Sequence, residues 1–292
     1  HLTHIVLRLK GYKKIFSQSP LPFHLLRKED VTSPIGKKFK QFISSKFQCG
    51  KSEITVIETS SFSKHLIIYL HGGAFVSGPG KHHWDSIMDI SISTKMNVWM
   101  VNYPKAPESE WSEIQANIDL VYEKALQSFH HQRIIIMGDS AGGTLALNLV
   151  QRLLKKQYTD IPGNIFLISP VVDLSMTNPA IDTLETKDKM LSKNGVLSAK
   201  QMLNAPHELN APEISPLFEE IEKLPKSYWY LAEHDITYPD QLKMIERLEE
   251  SGRPFHKYIG YKLPHIWPLM PVMKEARQAL DDIKKHLNNI KN

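Results

Sequence analysis

The stretch IIIMGDSAGGTLALNLV, residues 134–150, changes its pattern in the middle. It begins as a short apolar run, typical of a buried strand, and continues with leucines at the three- and four-residue spacing of a helix face. Between the two lies a G-x-S-x-G pattern in which Gly138 and Gly142 flank Ser140. In such a tight strand-to-helix turn the serine hydroxyl projects from the end of the sheet. We therefore predict that Ser140 is a nucleophile, the alternative being a serine that only caps the helix.

Short β-rich runs alternate with helical segments on both sides of this stretch. HLIIYL, NVWMVNY and NIFLIS are almost entirely apolar, and helical spacing is clearest at 111–125, 145–153 and 273–290. Strands that are apolar on both faces indicate a mainly parallel sheet covered by helices on each side. The sequence therefore predicts an α/β domain over residues 51–292.

Two stretches, residues 1–50 and about 174–224, interrupt this alternation without a steady period of their own. Open α/β sheets bind their ligands at the carboxyl ends of the strands. We predict that both stretches contribute to a helical cap over that edge, the first as an N-terminal arm and the second as an insertion.

A nucleophilic serine requires a base for its proton and hydrogen-bond donors for the oxyanion that its attack creates. The donors are expected where the strand in LIIYLHGGAF, residues 66–75, ends in HGGA. Glycines let backbone N–H groups approach a substrate closely, and the residue after the nucleophile supplies another donor. We predict Gly72, Gly73 and Ala141 as these donors. HGG alone would also fit a simple turn.

The order serine, acid, histidine is expected for a serine on such a turn, and it selects histidines late in the chain. The candidates are His207, His234, His256, His265 and His286. Asp235 and His265 each fall in a loop directly after a predicted strand, so we predict them as the acid and the base. His256 lies within a strand and His286 on the last helix, where packing or surface roles are expected. Asp240 is the rival acid, and its place suggests a helix cap.

Composition and charge limit the other functions. The chain has 292 residues, of which 41% are hydrophobic and 23% charged, as is typical of a folded globular protein. Residues 1–51 contain eleven Lys and Arg against Glu29 and Asp30. We expect a solvated basic face there, with contact to an anionic membrane as a minor hypothesis. Nucleic acid is not an expected partner, since no reader motif accompanies the basic residues.

No apolar run approaches the ~20 residues that cross a bilayer, so we expect a cytoplasmic protein. Cys49 is the single cysteine, which excludes an internal disulfide and a multi-thiolate metal site. Neither a metal nor a cofactor is predicted. Dimerisation through an edge strand or the last helix stays open.

The segments HGGAF, VNYPKAPE, GDSAGG and SYWYLAEHDITYPD, together with His265, resemble the hormone-sensitive-lipase-like (HGGG-type) carboxylesterases of the α/β-hydrolase fold. The resemblance extends from about residue 65 to the end of the chain. It implies an eight-stranded, mostly parallel sheet, a cap, and hydrolysis of carboxylic esters without a cofactor. The site residues that it implies are Ser140 as nucleophile, Asp235 as acid, His265 as base, and Gly72, Gly73 and Ala141 as oxyanion donors.

Three positions depart from the family pattern. Ala74 replaces the third glycine after the histidine, AEHD replaces a G-x-x-D segment at the acid, and Ile266 follows the base where the family has glycine.

The predicted reaction is hydrolysis of esters with small to medium acyl chains through an acyl-enzyme on Ser140. An amidase or peptidase with the same triad, and a non-catalytic protein of this fold that binds a small ligand, are the alternatives. We predict Trp84 and Trp267 as substrate-binding residues. Phe75 and three methionines are further candidates for an apolar pocket, although aromatic and Met side chains also fill cores. These methionines are Met176, Met190 and Met202.

Overall fold

The structure is a computed structural model that describes residues 11–34, 36–59, 63–205, 211–270 and 272–291. Its strands are β1 (Ile43–Cys49), β2 (Ser52–Ile57), β3 (Leu66–Leu70), β4 (Asn97–Asn102), β5 (Ile134–Asp139), β6 (Asn164–Ile168), β7 (Lys226–His234) and β8 (Phe255–Pro264). Its α-helices are α1 (Tyr12–Phe16), α2 (Phe23–Leu26), α3 (Lys37–Phe42), α4 (Lys81–Thr94), α5 (Trp111–Leu126), α6 (Ala141–Lys155), α7 (Ala180–Leu184), α8 (Lys193–Met202), α9 (Tyr238–Glu250) and α10 (Lys274–Lys291). Short 3₁₀ helices occupy Arg27–Glu29, His131–Arg133, Pro216–Phe218 and Trp267–Leu269.

The strands form one eight-stranded sheet in the order β1-β2-β4-β3-β5-β6-β7-β8. β2 pairs antiparallel with β1 and with β4, whereas every pairing from β4 to β8 is parallel. All residues of β3 and β5 are buried, because helices cover both faces of the sheet. The predicted fold class, a mostly parallel eight-stranded α/β sheet with a cap, is confirmed.

Two hydrophobic cores lie on the two faces of the sheet. One joins the sheet to α5, α6 and the segments of the cap, and it includes Trp111, Leu145 and Val196. The other joins the sheet to α4 and α10, and it includes Ile87 and Leu280. The three helices that periodicity predicts most clearly, α5, α6 and α10, therefore each bury one apolar face against a core.

The N-terminal stretch contains more than an arm. β1 lies within residues 1–50 and extends the sheet at its edge, so the sheet begins at Ile43 rather than at residue 51. Ile43 packs against one core and Phe47 and Cys49 against the other, all three partly buried, and the other residues of this strand are exposed. The alternation of the strand is short and is interrupted at Ser45, where the register with β2 shifts, and this conceals the strand in the sequence.

The two stretches predicted as cap meet each other above the carboxyl edge of the sheet. The Ser198 hydroxyl of α8 accepts from Leu21 N–H at 2.7 Å, and Ser192 donates to the carbonyl oxygen of Phe16. Lys13 of α1 forms an ion pair of 2.9 Å with Glu185 beside α7. None of the described helices combines the length and apolar character required to cross a membrane.

Candidate active site

Ser140 occupies the turn between β5 and α6 with φ 51° and ψ −121°. This backbone conformation is strained for a non-glycine residue, at a cost of about 1–3 kcal/mol. The neighbouring glycines are required by close approach: a Cβ on Gly142 would collide with the carbonyl oxygen of Leu70, and one on Gly138 with the carbonyl of Gly142. The turn therefore aims the Ser140 side chain away from the sheet, as its sequence pattern predicts.

The structure brings Ser140, His265 and Asp235 together from three separate loops. His265 Nε2 lies 2.8 Å from Ser140 Oγ, and His265 Nδ1 lies 2.6 Å from Asp235 Oδ2. Since ionised Asp235 is an acceptor, Nδ1 of His265 carries the proton and Nε2 is free to accept one from the serine. All three residues are buried, so water competes little for these hydrogen bonds.

The remaining oxygen of Asp235 is also engaged. Asp235 Oδ1 accepts hydrogen bonds of 2.8 Å from both the backbone N–H and the hydroxyl of Thr237. Burial alone would lower the pKa of His265, but the charge and hydrogen bond of Asp235, with smaller contributions from Asp188 and Asp139, raise it above its ordinary value. The site therefore stabilises the imidazolium that forms when His265 takes a proton.

Asp188 is a buried acid that the sequence prediction missed. One of its oxygens accepts from Ile236 N–H, directly after the triad acid, and the other accepts from the N–H groups of Met190 and Leu191. Burial and the nearby Asp235 carboxylate raise the pKa of Asp188. This side chain connects the cap to the acid loop. No pattern in the sequence marks it, because the connection exists only in three dimensions.

Asp139, which precedes the nucleophile, organises the loop after β3. Its Oδ1 accepts from the Tyr69 hydroxyl at 2.7 Å and from Gly72 N–H at 3.0 Å, while its Oδ2 lies 3.2 Å from His83 Nε2. Burial would raise the pKa of Asp139, but His83, His82 and Tyr69 hold it well below its usual range. Asp139 is therefore a buried carboxylate whose charge is balanced by surrounding donors.

This arrangement corrects the prediction that Gly72 is an oxyanion donor. The N–H of Gly72 is already donated to Asp139, so it is not available to a substrate. The N–H groups of Gly73, Ala74 and Ala141 have no hydrogen-bond acceptor among the described residues, and all three residues line the cavity beside Ser140. Gly73 and Ala74 have φ of 125° and 54°, which turns the chain toward the cavity.

Ile266, which follows the base, adopts the left-handed conformation that glycine adopts freely, with φ 49° and ψ 27°. A β-branched residue is strained there. Its N–H donates to Ser169 Oγ at 3.1 Å, and its side chain is buried in the core beneath the site. Where the family has a glycine that adopts this conformation without strain, packing of Ile266 and this hydrogen bond therefore stabilise the His265 loop.

A cavity of about 380 Å³ opens beside Ser140. Its walls come from the N-terminal segment, the cap insertion and the His265 loop, and its apolar lining includes Phe16, Leu26, Leu174, Met190, Leu191, Val196, Leu269 and Met270. Phe75 and Met190, two of the predicted pocket residues, are in this lining.

Trp84 and Trp267 do not line this cavity, which corrects their prediction as substrate-binding residues. Both are buried in the core between the sheet and α10. The indole N–H of Trp84 donates to the carbonyl of Val31 at 2.6 Å, and that of Trp267 donates to the carbonyl of Leu231 at 3.0 Å. Aromatic residues beside a motif cannot be assigned to a pocket from periodicity, because the same spacing serves the core.

The other candidates lie outside the triad. Asp240 lies in the first turn of α9 and accepts a 2.7 Å hydrogen bond from Asn178. The N-cap position, which the sequence analysis assigned to Asp240, is occupied by Thr237. His234 ends β7, and His256 and His286 lie on β8 and α10 near Asp282. His256, Asp282 and His286 form the one group of possible metal ligands among the described residues. His207 is outside the described residues.

Comparisons with known proteins bear on the family and the fold. A family described as alpha/beta hydrolase fold matches residues 67–268. An esterase from Acinetobacter venetianus is 31% identical over 242 residues, which cover 80% of this chain and 78% of the relative. A crystal structure of an esterase from the bacterial hormone-sensitive lipase (HSL) family has a TM-score of 0.87 at 20% identity, covering 99% of this chain and 97% of the other. The EstE5 structure soaked with p-nitrophenyl butyrate has a TM-score of 0.86 at 23% identity, with the same coverage.

Proposed function

This chain belongs to the hormone-sensitive-lipase-like carboxylesterases of the α/β-hydrolase family and hydrolyses esters, and we propose that it does so through an acyl-enzyme on Ser140. The observation that carries the proposal is the continuous hydrogen-bonded series from Ser140 through His265 to Asp235, with contacts of 2.8 and 2.6 Å. A serine hydroxyl needs such a base to act as a nucleophile at neutral pH.

In the first step Ser140 Oγ attacks the ester carbonyl carbon while its proton moves to His265 Nε2. The tetrahedral intermediate collapses, and the alcohol leaves with that proton. Water then attacks the acyl-enzyme, giving its proton to His265, and the acid is released as Ser140 recovers its proton. Asp235 keeps the imidazole in the required tautomer throughout.

The oxyanion of each intermediate is stabilised by backbone donors. We assign this role to the N–H groups of Gly73, Ala74 and Ala141, since the N–H of Gly72 is held by Asp139. Donors fixed by a folded loop need no reorganisation as charge develops on the substrate oxygen. The Ala74 substitution leaves this function intact, because a backbone N–H does not depend on the side chain.

The cavity supports esters with small to medium acyl chains. Its volume of about 380 Å³ lies near the lower end of the ~300–1,000 Å³ that small-ligand pockets occupy. Its apolar walls favour a hydrocarbon chain over a charged one.

The test is a series of p-nitrophenyl esters of increasing acyl length with the parent protein and Ser140→Ala. We expect the parent to prefer chains of medium length or shorter, and Ser140→Ala to lose at least ~10⁴-fold in kcat. Ser128→Ala, an exposed serine, is the matched control and retains activity. Turnover that persists in folded Ser140→Ala would exclude the acyl-enzyme. Faster cleavage of p-nitroanilides than of the matching esters would instead identify an amidase.

A further inference from the structure

Three side chains with metal-ligating atoms converge near the amino end of β8, away from Ser140. His256 is the second residue of β8, and Asp282 and His286 lie one turn apart on α10. One ligand atom from each residue lies within 4.8 Å of the other two. His256 Nε2 is 3.1 Å from Asp282 Oδ2, and His286 Nε2 is 3.6 Å from Asp282 Oδ1.

We propose that His256, Asp282 and His286 form a binding site for Zn²⁺ that links α10 to β8. Imidazole nitrogens and carboxylate oxygens are ordinary zinc ligands, and three protein ligands leave the fourth tetrahedral position to water. Bonds of about 2.1 Å place tetrahedral ligand atoms roughly 3.4 Å apart. The present separations, within 4.8 Å, therefore require only small side-chain rotations.

The surroundings orient the ligands as a metal site requires. The Tyr230 hydroxyl donates to Asp282 Oδ2 at 2.9 Å, which fixes the carboxylate from outside the cluster. The His286 ring packs 4.8 Å from the ring of Tyr228, measured between centroids. Outer partners of this kind hold metal ligands in position and raise affinity. The three ligands are each partly exposed, with side-chain exposures of 33%, 22% and 21%, so an ion can reach them from solvent.

The site is separate from the proposed ester hydrolysis. His256 stands at the beginning of β8 and His265 follows its end, so eight residues of mainly extended chain lie between them. At ~3.3 Å per residue the two sites are roughly 25–30 Å apart. Zn²⁺ bound here would affect the stability of the C-terminal helix rather than the chemistry at Ser140.

The test is calorimetric titration of Zn²⁺ into the full chain after treatment with a chelator. We expect one Zn²⁺ per chain in the parent, and at least a 10-fold weaker affinity in His256→Gln and in His286→Gln. His131→Gln is the matched control, since His131 lies 3.7 Å from Asp160 and belongs to no three-residue group of possible metal ligands in the described part of the chain. Its affinity for Zn²⁺ should equal that of the parent.

Tyr230→Phe provides a variant that keeps all three ligands. Loss of its hydrogen bond to Asp282 should weaken Zn²⁺ binding about 10-fold. Zn²⁺ at 100 times its Kd should also raise the Tm of the parent by on the order of 4 °C. No saturable binding by the parent, or unchanged binding by His256→Gln/His286→Gln, would overturn the site. Neither result depends on the esterase assay.

Discussion

Two histidine–aspartate pairs flank opposite ends of β8, and they differ in their surroundings. His265 and Asp235 are 2.6 Å apart with side chains 3% and 0% exposed, whereas His256 and Asp282 are 3.1 Å apart and partly exposed. The other nitrogen of His265 faces Ser140, and the other oxygen of Asp235 is filled by Thr237. At Asp282, a second histidine faces the carboxylate instead. A histidine–aspartate pair therefore does not determine the chemistry by itself. The exposure of the pair to water and the third group that contacts it determine the chemistry.

The largest effect is expected from Asp235→Asn. An amide can offer Nδ1 of His265 a donor, which stabilises the wrong imidazole tautomer and lowers kcat by ~10⁴-fold while preserving shape. Asp240→Asn is the matched control, because Asp240 is equally buried but faces Asn178. Its kcat/KM for a p-nitrophenyl ester should stay within ~3-fold of the parent. Equal losses of activity in the two variants would contradict this prediction, because they would show that removing any buried carboxylate lowers activity, whether or not it contacts His265.

A smaller effect is expected from Asp188→Asn, measured as the pH profile of kcat/KM. The Asp188 charge contributes to the raised pKa of His265, so its removal lowers that pKa. Because neutral His265 is the active base, activity should persist to lower pH and the acid limb should move in that direction. The exposed cap residue Asp182, changed to Asn, is the control and should leave the profile in place. A loss of activity with an unmoved acid limb would assign Asp188 a purely structural role.

The sequence predicts the parts of the site that local geometry determines. The G-x-S-x-G turn requires small neighbours at Gly138 and Gly142 because of contacts close to the turn, and the loop positions of Asp235 and His265 follow from strand periodicity. The donor at Gly72 is predicted wrongly, since Asp139 takes its N–H through a contact between two strands. A pattern along the chain does not contain that contact.

The same reason explains the errors at the tryptophans and at the first strand. The sequence shows that Trp84 and Trp267 are large apolar side chains, but not whether the pocket or the core receives them. β1 is a short edge strand with few buried positions, so pairing with β2 rather than its own hydrophobicity establishes it. Asp188 similarly acquires its role only when the cap meets the acid loop.

The smallest effect is expected at the exposed pair, from Asp282→Asn in chelator-treated buffer. An amide oxygen still accepts from Tyr230, so the variant loses mainly a partly exposed histidine–aspartate pair with His256, which is an ion pair only when His256 is protonated. Such pairs contribute about 0–1 kcal/mol, which corresponds to a Tm lower by roughly 2 °C or less. Asp281→Asn, at the neighbouring exposed position, is the control for thermal denaturation. A loss of several kcal/mol would instead mean that this second pair is as tightly integrated into the fold as the buried one, and the contrast between the two ends of β8 would fail.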